Sequence, residues 1–410
     1  MINQDPIIFG LITAIVGLVF YTSKLNNRFC KRIYAVIPVM VMCYVLPSVF
    51  NTFEIVDSSH SQLNKLSSNY LMPACLTLLI ISVDIKSILL LGPKIIILFL
   101  CASFGIIIGG PLALLIVASW APETVQWSGS DAVWRGMATL AGNWIGGTAN
   151  QLAMQKVYDT DNTLFAIMIS VNVVISAVWM SFLLFIAKHA AGIDKHLKAN
   201  QTELNSLINA TVEATAPANK PTQLLNYMMI FAVAFGVTGL AHFIADIFAP
   251  YFANNYPEFE KFSLTSSFFW LVICVTTFSL LLSQTKLRNL EQYGASKVAS
   301  VMLYLLIANM GLQMDLTTID DFPIYFAIGF IWLFIHAFIV IIVGMFMRTP
   351  VAYMAISSQC CIGGAASSPV VAMAFNRSLA PVAILFSVFG YAWATYMAWI
   401  CAEIMRNIQP

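Results

Sequence analysis

Two glycine pairs, each followed by small polar residues, are the clearest chemical signal in this sequence. The first lies in GNWIGGTANQ, Gly142 to Gln151, and the second lies in CIGGAASSP, which begins at Cys361. A Gly-Gly pair lets a helix break and turn sharply, which leaves unpaired carbonyl groups before the break and unpaired N–H groups after it. Free N–H groups at a helix start favour anions, and free carbonyl oxygens suit a cation such as sodium. The two motifs therefore predict a site that binds an anionic group and a cation together.

Hydroxyl and amide side chains around the glycines are expected to complete this site. Ser367-Ser368-Pro369 predicts a serine N-cap with proline at the first helical position, and Thr148 and Asn150 are expected to cap the equivalent helix. The alternative is that the small residues only allow close helix packing, although a cluster of amides in lipid is costly without partners. The predicted binding residues are Asn143, Gly146, Gly147, Thr148, Asn150, Gln151, Asn172, Gln359, Gly363, Gly364, Ser367 and Ser368, with sodium near Thr148, Asn150 and Ser367.

Other polar residues have competing interpretations. Asn172 either completes a sodium site or forms an interhelical hydrogen bond. Asp84 and Asp315 end two apolar segments, where capping or solvated roles are favoured over proton transfer. His336 lies in the middle of an apolar segment, where a packing role is favoured over a proton relay. The sequence has no phosphate-binding loop, metal-ligand spacing or nucleophile elbow. We therefore expect neither an ATP-driven pump nor an enzyme, and no cofactor apart from a coupling ion.

The composition places these motifs in a membrane. Of the 410 residues, 60% are hydrophobic and only 10% are charged, whereas an ordinary soluble domain carries about 25% charged residues. The net charge of +1 gives no indication of a nucleic-acid partner. Apolar segments long enough to approach a bilayer span recur along the whole chain. They cover residues 7–21, 33–49, 69–83, 94–119, 134–156, 162–187, 225–252, 262–283, 297–313, 323–347, 351–375 and 379–405. The sequence thus predicts an all-α polytopic membrane protein.

The order of these segments indicates an internal duplication. Six segments precede a polar stretch and six follow it, which predicts a first repeat at 1–187, an aqueous linker at 188–223 and a second repeat at 224–410. IGGTAN from Ile145 matches IGGAAS from Ile362 with an offset of 217 residues, and the same offset relates Ser170 to Ser387. The loop TVQWSGSDAVWRG is expected to account for the extra residues between Asp84 and the first glycine pair.

The distribution of positive charge favours inverted repeats. Lys and Arg concentrate in cytoplasmic loops, so the better topology is the one that leaves fewer of them outside. If the two glycine segments enter and leave on one side, each half has five crossings and 15 of the 20 Lys and Arg residues lie inside. Only Lys65, Arg135, Lys156, Lys261 and Arg406 then lie outside. Twelve full crossings would leave nine inside. We therefore expect five-helix inverted repeats, each containing a Gly-Gly re-entrant hairpin or a broken helix, as in many secondary transporters.

The chain resembles the YjcL-like family of uncharacterised bacterial membrane proteins. The resemblance rests on VDIKSILLLGPK, GNWIGGTAN and IGGAASSPVVAMAF, and it extends over nearly the whole chain. That family is in turn distantly similar to the sodium:glutamate and 2-hydroxycarboxylate symporters of the bile-acid/sodium symporter superfamily. The resemblance implies dimers, elevator-type movement and a substrate site at the glycine tips. The tip residues that it implies are Gly146, Gly147, Thr148, Ala149 and Asn150, and Gly363, Gly364, Ala365, Ala366 and Ser367.

These observations predict a sodium-coupled secondary transporter of a small anionic organic solute. We expect a multi-pass homodimer in the lipid bilayer of the bacterial inner membrane, with no nucleic-acid partner. One alternative is a proton-coupled carrier or exporter of the same fold. The other is a membrane enzyme or lipid-handling protein whose hairpins shape a pocket.

Overall fold

Apolar residues form helices throughout the computed structural model, which describes residues 2–37, 39–57, 61–199, 223–312 and 322–408. The helices of the first half are α1 Asp5–Lys24, α2 Arg28–Val36, α3 Val39–Thr52, α4 Leu63–Leu66, α5 Met72–Ile81, α6 Ile85–Leu90, α7 Pro93–Trp120, α8 Val133–Val157 and α9 Asn162–Leu197. Those of the second half are α10 Leu224–Asn255, α11 Ser267–Ser283, α12 Ala295–Gly311, α13 Phe322–Phe346, α14 Val351–Ile362, α15 Gly364–Phe375 and α16 Ala380–Asn407. A π-helical segment, Ser67–Leu71, joins α4 to α5.

Six helices within the described residues are long and apolar enough to cross a membrane: α1, α7, α9, α10, α13 and α16. A seventh span results if α11 is counted with the bent segment Lys286–Tyr293. Large apolar side chains such as Phe104, Leu112, Phe334 and Phe338 are exposed on α7 and α13, as expected for surfaces that face lipid. These features are those of a polytopic membrane protein. Four of the ten predicted crossings are shorter or interrupted helices, namely α3, α5, α11 and α12.

The end of α9 extends into the predicted linker. The helix continues to Leu197, and Lys198 ends it in the left-handed conformation with φ 49°. Asp194 is buried there, and its carboxylate accepts a hydrogen bond of 2.8 Å from the Val351 backbone N–H at the start of α14. Residues 200–222 of the predicted linker, and Asp315, lie outside the described residues. The predicted extra loop lies before α8, where residues 125–132 are non-helical.

The helices pack in two groups. One contains α1, α3, α5, α10, α11 and α12, with α12 packed against both α3 and α5. The other contains α7, α8, α9, α13, α14, α15 and α16, in which α8 packs extensively against α16 and α7 against α13. The groups meet where α5 and α11 contact α8 and α16. Both glycine motifs therefore belong to the second group.

Candidate functional site

The first glycine motif is the tip of a helical hairpin formed by α8. Gly146 has φ −139° and ψ 16°, and Gly147 has φ 75° and ψ −179°, so the helical path is interrupted at both residues. A Cβ added to Gly142 would lie 2.8 Å from the Asn150 carbonyl oxygen, which shows that the chain folds back after the tip. The ring centroids of Trp134 and Tyr158 are 5.4 Å apart. A continuous helix would separate these residues by about 36 Å. We call α8 the first hairpin.

The second glycine motif joins α14 to α15 in the same way. α14 ends at Ile362, and Gly364 has φ +57°. The Gln359 amide nitrogen donates to the Ser367 hydroxyl oxygen at 2.7 Å, although the two residues are eight positions apart. α14 and α15 pack against each other as the two arms, which we call the second hairpin. The prediction that each Gly-Gly pair breaks its helix is confirmed at equivalent residues, because Gly147 and Gly364 are 217 positions apart and both have positive φ.

The predicted serine cap of α15 and the predicted Asn150 cap are wrong. α15 begins at Gly364, and Pro369 lies in its interior instead of at its first position. No side chain caps its N-terminus, so Ser367 and Ser368 have other partners. The helix starts early because Gly364 alone makes the turn, and no separate capping residue is needed. Asn150 does not cap either, since its side-chain amide donates to the carbonyl oxygen of Gly146 at 3.1 Å. The N–H groups at the start of α15 are therefore not covered by a side-chain cap.

The helix that follows each hairpin contacts the tip of the other hairpin. Ser176 of α9 donates to the Ile362 carbonyl oxygen at the second tip, at 3.0 Å. Asn150 at the first tip donates to the Tyr391 carbonyl oxygen of α16, at 2.9 Å. A Cβ on Gly390 of α16 would lie 2.4 Å from the Ile145 carbonyl oxygen, so glycine is required for this close approach. The carbonyl groups that were expected to be unpaired thus have protein contacts, although each oxygen has a second lone pair.

The helix that follows each hairpin also contacts the base of the other hairpin. Asp194 of α9 accepts from the Val351 N–H, where the second hairpin begins. Glu403 of α16 accepts from the Tyr158 hydroxyl at 3.0 Å, where the first hairpin ends, and from the Ser263 hydroxyl at 2.9 Å. Each hairpin is therefore held at its tip and its base by the helix that follows the other hairpin.

Two buried glutamine side chains on the hairpins have one unsatisfied polar atom each. The Gln151 Oε1 accepts from the Asn143 amide at 2.8 Å, and both side chains are at least nine-tenths buried. The Gln151 Nε2 and the Gln359 Oε1 have no hydrogen-bond partner among the described residues. Leaving a buried polar atom unpaired costs about 1–3 kcal/mol, so these two atoms are positions at which a ligand or an ion could bind. The Gln151 Nε2 is a hydrogen-bond donor, and the Gln359 Oε1 is an acceptor.

The remaining predicted site residues divide between tip and packing positions. Gly147, Thr148, Gly363, Gly364 and Ser367 are partly exposed at the tips. The Asn172 Oδ1 accepts from the Trp144 indole at 3.1 Å and from the Ser176 hydroxyl at 3.1 Å, in agreement with the interhelical hydrogen-bond interpretation. Ser368 is fully buried and bonds the Ser387 hydroxyl of α16 at 2.8 Å, which fixes the second hairpin to its own following helix.

The His336 side chain is fully buried, and both ring nitrogens have partners. Nδ1 lies 2.9 Å from the Ala102 carbonyl oxygen, which can only accept, so Nδ1 carries the hydrogen. Nε2 lies 2.8 Å from the Ser358 hydroxyl, which also accepts from the Trp179 indole at 2.9 Å. This arrangement satisfies a neutral imidazole and joins α7, α9, α13 and α14. The interpretation of His336 as a packing residue agrees with this geometry.

Asp84 has the expected capping role. Its carboxylate accepts from the Ser87 backbone N–H at 3.1 Å at the start of α6 and forms an ion pair of 2.6 Å with Arg288. Burial raises the pKa of Asp84, but the hydrogen bonds from Ser87 and the positive charge of Arg288 outweigh it, so the pKa lies below its ordinary value.

Several residues that hold the tips are not apparent from the sequence. Ser176 could have been found, since it lies four residues after Asn172 and therefore on the same helix face. Tyr391 and Thr395, whose hydroxyl donates to the Asn150 Oδ1 at 2.9 Å, lie more than 240 residues away and leave no local signal. Trp179 and Ser358 are similarly distant from each other in sequence.

The fold and the site define a class: an all-helical, membrane-type protein with two glycine-tipped hairpins packed against each other. Residues 10–408 match the family model described as "Protein of unknown function (DUF819)", and the chain belongs to that family. A comparison with curated proteins finds no match.

Proposed function

We propose that this protein is a secondary transporter that couples sodium to the movement of a small anionic organic solute. The observation that carries the proposal is the pair of hairpins, whose tips have positive φ at Gly147 and Gly364 and which pack against each other inside an apolar helix bundle. Interrupted helices at membrane depth are tolerated only where protein or a water-filled cavity surrounds them. Secondary transporters use such interruptions for substrate and ion sites.

The chemistry of the hairpins suits an anion and a hard cation. The unpaired Gln151 Nε2 and the uncapped N-terminus of α15 supply hydrogen-bond donors for a carboxylate. The unpaired Gln359 Oε1 and the second lone pairs of the Gly146 and Ile362 carbonyl oxygens supply neutral oxygens for sodium. Among the described residues from Trp134 to Gln155, and from Val351 to Asn376, there is no Asp, Glu or His. Sodium therefore fits these hairpins better than a proton does.

The packing supports an internal duplication. The long apolar helices correspond to the first, fourth and sixth of the six apolar segments in each half, as α1, α7 and α9 and as α10, α13 and α16. The exchange of contacts at the tips and bases is what a two-fold relation between the halves would produce. We propose that the halves are inverted repeats and that each hairpin is re-entrant, in accord with the positive-inside rule.

The two helix groups suggest how transport would proceed. The group containing both hairpins would carry the solute, while the group of α1, α3, α5, α10, α11 and α12 would form the scaffold, as in an elevator mechanism. We propose that the protein works as a homodimer in the bacterial inner membrane. A membrane enzyme is the less favoured alternative, because the hairpins offer no nucleophile–base pair among their described residues.

A screen for solute should give a sodium-dependent result. We expect one or more small carboxylates to raise the melting temperature of the purified protein, and the shift should be larger in sodium than in potassium at equal ionic strength, because anion and cation share the hairpins. The same compound should then accumulate in proteoliposomes. Conversion of that compound to a product, without accumulation, would favour the enzyme alternative.

A second experiment tests the topology. Single cysteines introduced in the 200–222 segment should be protected from an impermeant thiol reagent in intact cells, whereas a cysteine at Asp159, after the first hairpin, should react from outside. The parent protein supplies the background from its eight native cysteines. Labelling of the 200–222 segment from outside would contradict the inverted topology.

A further inference from the structure

A small cavity lies beside the second arm of the first hairpin, away from the tips. It has a volume of about 10 Å³, which is room for roughly one water molecule. Its polar lining residues are Asn64, Ser67, Ser68, Lys156 and Asn309. They come from three places: the α4–α5 region, the first hairpin and α12. The cavity therefore lies at the boundary between the two helix groups.

Lys156 is the one charged residue among those that line this cavity. Its side chain is only partly exposed, and no described carboxylate lies within ion-pair distance of its ammonium group. Asp159 acts on the ammonium charge from beyond that distance, while burial disfavours the charge, so an anion in the cavity would stabilise Lys156 further. By contrast, Lys188 on α9 is exposed.

The hydroxyl of Ser67 is a second group without a partner. Ser67 is 7% exposed, lines the cavity, and forms no side-chain hydrogen bond with any described residue. It begins the π-helical segment Ser67–Leu71, and such irregular turns are frequent at functional sites because they redirect side chains. Ser68 and Asn309 are engaged, since Ser68 donates to the Asn64 carbonyl at 2.9 Å and Asn309 to the Asn64 side chain at 2.9 Å. An ammonium and a free hydroxyl are both donors, which is the chemistry of an anion site.

This cavity adjoins a second one that reaches the first tip. Leu152 lines both, and the second cavity, also about 10 Å³, contains Thr148 and Tyr44. The Tyr44 hydroxyl is buried and has no hydrogen-bond partner among the described residues. Between Lys156 and Thr148 the second arm of the hairpin spans about 12 Å. The two cavities therefore follow that arm from near its base to its tip, with the polar side chains at the Lys156 end.

We infer that the Lys156 cavity is an anion vestibule through which the solute enters from the outer side, and that Lys156 selects anions over neutral and cationic molecules. The inference rests on the proposed transport function for the identity of the solute, but not for the electrostatics of the cavity. The vestibule is narrow, so solute passage requires the two helix groups to separate. The lysine then acts by raising the local concentration of anions beside the tip.

The test uses the full-length protein in proteoliposomes with Ser68→Cys as a reporter inside the cavity. Two rates of modification are measured, one with anionic 2-sulfonatoethyl methanethiosulfonate and one with its cationic trimethylammonium analogue. The background rate of the protein without the added cysteine is subtracted from each. The anionic rate divided by the cationic rate is the charge-selectivity ratio. A unit charge about 6 Å away changes each rate roughly threefold in opposite senses, so Lys156→Met should lower the ratio about tenfold. Lys156→Arg should preserve it, and Lys188→Met should leave it unchanged.

An unchanged ratio in Lys156→Met would overturn the role of Lys156, and a cysteine unreactive toward both reagents would overturn the vestibule. If Lys156→Met is not recovered as a monodisperse protein, the effect of salt on the ratio is measured instead in the Ser68→Cys protein with Lys156 intact. Raising KCl from 0.05 M to 1 M should then move the ratio toward that of a free small thiol, because the Debye length falls to about 3 Å. Neither measurement requires transport. If the ratio depends on Lys156 but no solute flux is found, the result contradicts the transporter proposal and leaves the anion vestibule standing.

Discussion

Valine at Gly147 or at Gly364 is expected to reduce solute uptake to the background of empty vesicles while the helix bundle stays folded. The two residues have φ 75° and φ 57°. A side chain in this left-handed region costs about 1–2 kcal/mol, and a β-branched residue tolerates it least. The tip can relieve this strain only by changing its turn, which moves the groups on both arms. Radiolabelled uptake and size-exclusion chromatography measure the two effects separately.

Gly364 gives the cleaner experiment of the two. A Cβ there would meet no atom within 4 Å, whereas at Gly147 it would lie 3.3 Å from the Tyr391 ring. Gly364→Ala therefore tests backbone strain without a steric clash, and its effect should lie between the parent and Gly364→Val. Gly236 in α10 also has open space but an ordinary φ, so Gly236→Val is the matched control and should transport normally.

Side chains at the tips should give smaller losses in the same assay. Asn150→Ala removes the hydrogen bonds to the Gly146 and Tyr391 carbonyl groups, and Ser367→Ala removes the partner of Gln359. Both should weaken solute binding, the first by loosening the tip from α16 and the second by altering the group nearest to Gly363. Normal uptake in these variants and in both valine variants would mean that the glycine motifs only serve helix packing.

The sequence predicted the features that depend on local chemistry. Gly-Gly gave the helix breaks, the apolar runs gave the order of the helices, and Asp84 capped α6 as expected. The cap at Ser367 failed because a positive-φ glycine can end one helix and begin the next without a capping side chain. The contacts of Asn150 with Tyr391 and of Ser176 with Ile362 could not be predicted, since they join residues 241 and 186 positions apart. Repetition of the motif indicates two related hairpins but not which helix holds each.

The continuation of α9 into the predicted linker has a similar cause. The residues after Lys188 lack apolar periodicity, which favoured an irregular linker, yet they include several good helix formers. Asp194 then gains a tertiary partner in the Val351 N–H. A contact with a helix more than 150 residues away thus decides a helix end that local composition leaves open.

Sodium is expected to be the coupling ion, so uptake should collapse when the sodium gradient is replaced by an equal potassium gradient. Between about pH 6 and 8 uptake should change little, because a proton-coupled carrier needs a group at its site that changes protonation. The hairpins offer hydroxyl groups, amides and carbonyl oxygens instead. Solute flux with imposed sodium, potassium and pH gradients distinguishes the two mechanisms, and we expect a difference of at least tenfold between sodium and potassium.

His336 is the residue that could contradict this expectation, since an unperturbed histidine titrates near pH 6.5. Its surroundings favour the neutral ring. Nδ1 must donate to the Ala102 carbonyl, while the Trp179 indole donates to Ser358 and leaves the Ser358 hydroxyl hydrogen for Nε2. A proton on Nε2 would turn the Ser358 hydroxyl hydrogen away from the ring and leave that hydrogen without its present acceptor. His336→Gln should therefore keep the ratio of sodium-driven to potassium-driven uptake, even where lost packing lowers the total. A pH-driven, sodium-indifferent flux that disappears in His336→Gln would instead identify the proton as the coupling ion and His336 as its carrier.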